Sequence, residues 1–160
     1  MINVTVIALS KLKESYMREF SSEYEKRLSA FCRLNIIELN PERLSENPSE
    51  SEIKTALKKE TKLIKSKLLS SSYIFSLCIE GKQLGSAEFS QKLDSIALSG
   101  KSNIIFIIGS SFGLSEEIKQ LSDFNFSMSK MTFPHQFARC MLLEQLYRAF
   151  QISSGGKYHK

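Results

Sequence analysis

Residues 103–113 read Asn-Ile-Ile-Phe-Ile-Ile-Gly-Ser-Ser-Phe-Gly. From Ile104 to Ile108 no polar residue alternates with the apolar ones, so this strand is expected to be covered on both faces. Working outward, apolar runs at residues 2–9, 34–39, 73–79 and 124–129 predict four more strands. Helical stretches lie between them. Tyr16, Phe20, Tyr24, Leu28 and Phe31 recur on one face of a helix over residues 14–31. Ile53, Leu57, Ile64 and Leu68 stripe a second, and Phe89, Leu93, Ile96 and Ala97 a third, with a capping region at Ser86 and Glu88. A short helix over 114–121 and a long one over 134–150 complete the order. Strand and helix in alternation predict an α/β domain with a mostly parallel sheet flanked by helices.

The 160 residues fit a single domain spanning 1–160, and the 42% hydrophobic content is ordinary for a folded protein. The polar connection over residues 41–52 is read as a loop, because the same pattern resumes after it. No apolar run approaches the length of a membrane span, so no membrane partner is expected. Met1-Ile2-Asn3-Val4 enters a strand with no basic leader or cleavage site, which predicts a cytoplasmic protein. Cys32, Cys78 and Cys140 are odd in number and lack a CxxC pair, against both a disulfide framework and a zinc site. No metal is expected. A net charge of +5 permits a nucleic-acid partner without requiring one.

Two strands are expected to end in glycine, at Gly81 and at Gly109. Ligands of open α/β sheets bind beyond the carboxyl ends of strands, where glycine lets them approach the backbone. Gly109 to Gly113 lacks the spacing of either common phosphate-binding loop, and a plain strand-to-helix turn is the competing reading. Three strand ends, after Leu77, at Gly109 and from Met128 to Phe133, are expected to share one edge of the sheet.

Between Phe137 and Phe150, apolar residues cover nearly the whole circumference of the last helix. Such a helix is buried on two sides. A two-fold homodimer with this helix in its interface is therefore predicted, and a helix sandwiched within one monomer is the competing reading. Glu144 and Arg148 stand in the favourable i, i+4 order for an ion pair.

At this point the residues resemble a family. Ser129-Lys130-Met131-Thr132-Phe133-Pro134-His135, Glu144-Gln145-Leu146-Tyr147-Arg148-Ala149 and Tyr158-His159-Lys160 resemble the ribosomal RNA large subunit methyltransferase H family of the SPOUT superfamily. Leu9 to Lys13, Glu23 to Leu28 and Leu77 to Lys82 fit it in order. The resemblance implies a C-terminal trefoil knot, a homodimer, and methylation of N3 of a pseudouridine in 23S rRNA on the assembled ribosome. S-adenosylmethionine is the implied cofactor, bound by Leu77, Gly109, Met128, Ser129, Lys130, Met131, Thr132 and Phe133. Many members resemble a Gly-Gly pair where Gly109-Ser110 stands here, so Ser110 adds a side chain beside the cofactor loop.

His135 titrates in the right range for a base toward the N3 proton, and a helix-start or phosphate-contacting role competes with that. Arg139 and Arg148 are candidate phosphate contacts. Lys54, Lys58, Lys62 and Lys65 form a basic stripe that also reads as a solvated face. Residues 153–160 are expected to be a flexible tail, with Tyr158, His159 and Lys160 facing RNA or simply frayed. A non-enzymatic RNA-binding module and a small-molecule enzyme using a nucleotide are the rival classes.

Overall fold

The computed structural model describes residues 1–160. Its elements alternate along the chain: β1 (Ile2–Ala8), α1 (Ser15–Leu28), β2 (Cys32–Glu38), α2 (Glu50–Lys65), β3 (Ser72–Gln83), α3 (Ser86–Leu98), β4 (Asn103–Ile108), α4 (Glu116–Leu121), β5 (Phe124–Ser127) and α5 (His135–Ser153). The strands form one sheet in the order β2-β1-β4-β3-β5, and every pairing is parallel.

β4 lies at the centre, as its unbroken apolar run requires. Ile104, Phe106 and Ile108 face one layer with Leu28 of α1, Phe89 and Leu93 of α3, and Leu142, Leu143 and Leu146 of α5. Ile105 and Ile107 face the other, with Ile64 of α2 and Ile118 of α4. The alternation of side chains along a strand thus feeds two separate cores. Phe75 stacks on Phe106 at 4.6 Å, and Phe89 on Phe126 at 5.1 Å, which ties the edge strand β5 to the centre.

The distribution of helices follows from crossover handedness. Chain movements toward the β2 edge, from β1 to β2 and from β3 to β4, use α1 and α3 on one face. Movements the other way, from β2 to β3 and from β4 to β5, use α2 and α4 on the opposite face. A single handedness for parallel crossovers demands this division. At their carboxyl ends, β3 and β4 therefore send their chains to opposite faces and leave a crevice between them.

Two local expectations change. The capping region of α3 works one residue earlier than expected: Gly85 N–H donates to Glu88 Oε2 at 2.7 Å, and the Ser86 hydroxyl donates to Gln145 of α5 at 2.7 Å. β3 does not end at Gly81. It continues to Gln83, with Leu77 and Lys82 both registered against Phe126, so residues 78–81 bulge out of the pairing. Gly81 permits this because a Cβ there would lie 2.6 Å from the backbone carbonyl of Asn125. Glycine here serves close approach of two backbones rather than a turn.

α5 is buried chiefly by its own chain. Cys140, Leu142, Leu143, Leu146 and Ala149 are closed off between the sheet, α1 and α3. The sandwiched reading of this helix accounts for most of its apolar circumference. Phe137 remains 46% exposed, and Tyr16 and Phe20 of α1 are exposed as well.

Candidate active site

A cleft of about 850 Å³ opens at the carboxyl ends of β3, β4 and β5. The three strand ends expected to converge do so: Leu77, Gly109, Met128, Ser129, Met131, Thr132 and Phe133 all line it. Lys130 is exposed and forms no part of the wall. The loop after β5 is held by its own serines. The Ser127 hydroxyl donates to the Ser129 carbonyl at 3.0 Å, and Met131 N–H donates to Ser129 Oγ at 3.0 Å. Met131 and Phe112 stay largely exposed at the mouth, where their apolar surface can cover a bound ligand.

The turn after β4 is tight. Gly113 N–H donates to the Ser110 carbonyl at 2.9 Å, and Gly113 adopts φ of +76°. A Cβ on Gly109 would meet the Gly113 carbonyl at 2.4 Å. Only glycine at 109 lets the turn fold flat and present backbone to the cleft.

Several wall residues were not legible in advance. Residues 78–80 enter through the β3 bulge, and Lys119 of α4 pairs with Glu80. That hydrogen bond holds the Glu80 carboxyl below its usual range. Cys78 is half-buried in the wall, not packed in the core, and burial raises its thiol pKa.

His135 begins α5 and lines the cleft, half-buried. Burial, then the positive charges of Lys13 and Arg139, lower its pKa below the ordinary histidine value. It is therefore neutral at physiological pH, the form that can accept a proton.

Arg139 does not face solvent as a phosphate contact would. It is 1% exposed, with Nη1 donating to Glu38 of β2 at 2.8 Å and with Nε and Nη2 buried without a protein partner. Arg148 lies in a second cluster farther along α5. Its Nε donates to Glu144 Oε1 at 3.0 Å, and its guanidinium stands 4.7 Å from the Tyr158 ring centre. Tyr158 is not free: its hydroxyl donates to Glu144 at 3.1 Å and lies 2.9 Å from that of Tyr24. The tail thus folds back on α1 and α5, while His159 and Lys160 remain exposed. From His135 to Arg148 the helix rises about 20 Å, at about 1.5 Å per residue. One chain does not bring this cluster to the cleft.

Glu60 of α2 was also missed. It is 4% exposed, and its carboxylate accepts from the Ser110 hydroxyl at 2.9 Å and from Glu42 N–H at 3.2 Å. Burial pushes its pKa up, against the pull of those two bonds. The available signal was its position within the apolar stripe of α2, between Ala56 and Ile64.

The chain matches the family described as predicted SPOUT methyltransferases over residues 2–159. It is 48% identical over 99% of its length to the whole of the ribosomal RNA large subunit methyltransferase H of Clostridium kluyveri. The proteins of that name from Leuconostoc mesenteroides and Clostridium botulinum are 47% and 45% identical over the same shares. A looser likeness, with a TM-score of 0.46 at 11% identity, covers 98% of this chain and 59% of the SpoU methyltransferase AviRb from Streptomyces viridochromogenes, solved with AdoMet. With a full-length family match and relatives close to half identical from end to end, the chain belongs to the ribosomal RNA large subunit methyltransferase H family of SPOUT methyltransferases.

Proposed function

We propose that this chain is an S-adenosylmethionine-dependent methyltransferase acting on N3 of a pseudouridine in 23S rRNA, on the assembled ribosome and in the cytoplasm. The observation that carries the reading is the agreement between the cleft wall and the residues the family resemblance assigns to the cofactor. All but Lys130 of those eight line one cleft. Its volume suits a nucleoside-sized ligand, within the usual range of about 300–1,000 Å³. Apolar walls at Leu77 and Phe133 suit an adenine, and the flat turn at Gly109 offers backbone groups to it.

The bound cofactor supplies an activated methyl group on a sulfonium. Methyl transfer is an in-line displacement, so the protein's part is to position the acceptor and exclude water. Met131 and Phe112 close over the mouth of the cleft. Neutral His135 takes the N3 proton. Arg148, Tyr158, His159 and Lys160 contact RNA, and Arg139 supports α5 from beneath through Glu38.

Because Arg148 and Tyr158 lie far from the cleft of their own chain, the reading includes a homodimer in which a partner's tail reaches the cleft. Tyr16 and Phe20 of α1 and Phe137 of α5 leave apolar surface exposed for that contact. The trefoil knot belongs to the same reading. It is supported by the path of the chain, which leaves β5 through the 128–134 loop beside the Gly109 turn and then returns across α1 and α3.

The test is transfer of labelled methyl from S-adenosylmethionine to intact ribosomes and to free 23S rRNA, followed by nucleoside mapping. Label confined to a pseudouridine N3 in ribosomes is expected. Label elsewhere, or none with a folded protein that binds the cofactor, would overturn it. Deleting residues 157–160 should abolish transfer and leave cofactor binding intact.

A further inference from the structure

Glu60 faces inward from the middle of α2, and a buried carboxylate is stable only when its oxygens are satisfied. Its two bonds go to different loops. Oε1 accepts from Glu42 N–H in the connection between β2 and α2, and Oε2 accepts from the Ser110 hydroxyl in the turn after β4. The next residue of α2 makes a second tie: Thr61 Oγ1 lies 2.6 Å from Ser115 Oγ. Ser115 in turn caps α4, accepting from Ile118 N–H at 3.3 Å. Adjacent residues of one helix thus hold both ends of the 110–115 segment, which forms one wall of the cleft. The gap between α2 and this segment is a cavity of about 200 Å³, which shares Ser110, Ser111, Phe112 and His135 with the cleft.

We propose that Glu60 is a positioning residue for the cofactor: through Ser110 it fixes the 109–113 turn, and through Glu42 it couples that turn to the loop between β2 and α2. The inference rests on the proposed use of the cleft. Ser110 is then the contact by which α2 reaches the binding turn. Without the hydroxyl, Glu60 Oε2 loses its only donor.

The test combines calorimetric titration with S-adenosylmethionine and hydrogen exchange at the amides of residues 109–113 and 41–45. Glu60→Ala and Ser110→Ala are each expected to weaken binding about tenfold, which is about 1.4 kcal/mol. Exchange at 109–113 should quicken in both. The double variant should be no weaker than the worse single one, because both remove the same tie. Glu60→Gln should recover most of the affinity lost in Glu60→Ala, its amide donating to Ser110 Oγ and its carbonyl accepting from Glu42. A general loss of stability would not give that pattern. Ser110→Ala removes only a hydroxyl, so it decides the matter even where Glu60→Ala fails to fold. If wild type binds the cofactor and Ser110→Ala changes neither affinity nor exchange, the positioning role is wrong. If wild type binds none while both variants still speed exchange at 109–113, the tie stands and the functional reading falls.

Discussion

Replacing Gly109 with alanine sets the strictest demand on this cleft. The added Cβ would sit 2.4 Å from the Gly113 carbonyl oxygen and 2.5 Å from its carbon, where ordinary contact begins at 3.4 Å. Both obstacles are backbone, so no side chain can swing aside. The turn must open by about 1 Å. That movement distorts the Gly113 N–H to Ser110 hydrogen bond and shifts the cleft wall. Forced overpacking of this kind costs about 1–3 kcal/mol. Where the cofactor requires the original turn, that cost returns as a loss of affinity of roughly 5- to 140-fold, at about 1.4 kcal/mol per tenfold. Gly113→Ala is the control. A Cβ there meets nothing, but φ of +76° is unfavourable for alanine by about 1–2 kcal/mol. That strain burdens free and bound protein alike, so stability falls while affinity stays within about threefold. Calorimetric titration with S-adenosylmethionine, beside thermal unfolding of each variant, separates the two effects. Wild-type affinity in Gly109→Ala, or an equal loss in Gly113→Ala, would refute the argument from turn geometry.

Three other outcomes follow from the packing. Gly81→Ala should lower stability by about 1–3 kcal/mol, read calorimetrically as a drop of roughly 2–10 °C in Tm, because β3 and β5 must part where the new Cβ meets the Asn125 carbonyl. The lowered pKa of His135 means the unfolded chain binds its proton first, so this residue favours the native state above its unfolded value of about 6.5 and loses that contribution as pH falls through the folded value. His135→Gln should therefore flatten the decline of Tm between about pH 7 and pH 5; an unchanged slope would count against the buried neutral imidazole. Glu144→Ala removes the acceptor shared by Arg148 and Tyr158, so limited proteolysis should cut the 154–160 segment faster than in wild type, with the core unaffected.

The frame of this protein was readable because β4 is apolar without interruption and because helices and strands differ in period. The three strand ends of the cleft were readable from the same run, since a parallel sheet gathers all carboxyl ends on one edge. Residues 78–80 and Lys119 were hidden by the β3 bulge, a tertiary accommodation between Gly81 and Asn125 that no local pattern encodes. Arg139 was read as a phosphate contact, yet it is buried against Glu38, a partner 101 positions away in sequence that only the fold supplies. Tyr158 was expected in a flexible tail. The glycines before it do loosen the helix end, yet Tyr24 and Glu144 hold it against α1 and α5. Glu60 stood in plain view as a carboxylate on an apolar stripe, but its partner in the Gly109 turn is supplied only by the fold.

The central pairing of β1 with β4 has a consequence for how the chain is made. Asn3 bonds Asn103 across 100 residues, and the β1–β4 register runs from there to Ala8 and Ile108. A growing polypeptide can pair β1 only with β2 until the fourth strand has emerged. The cleft then waits for β5, and the Tyr24–Tyr158 contact waits for nearly the whole chain. Such distant closure slows folding, because loop entropy is lost before the contacts repay it. Synthesis therefore leaves the half-finished product with an unsheltered sheet edge, and the cleft wall is among the last parts to take shape.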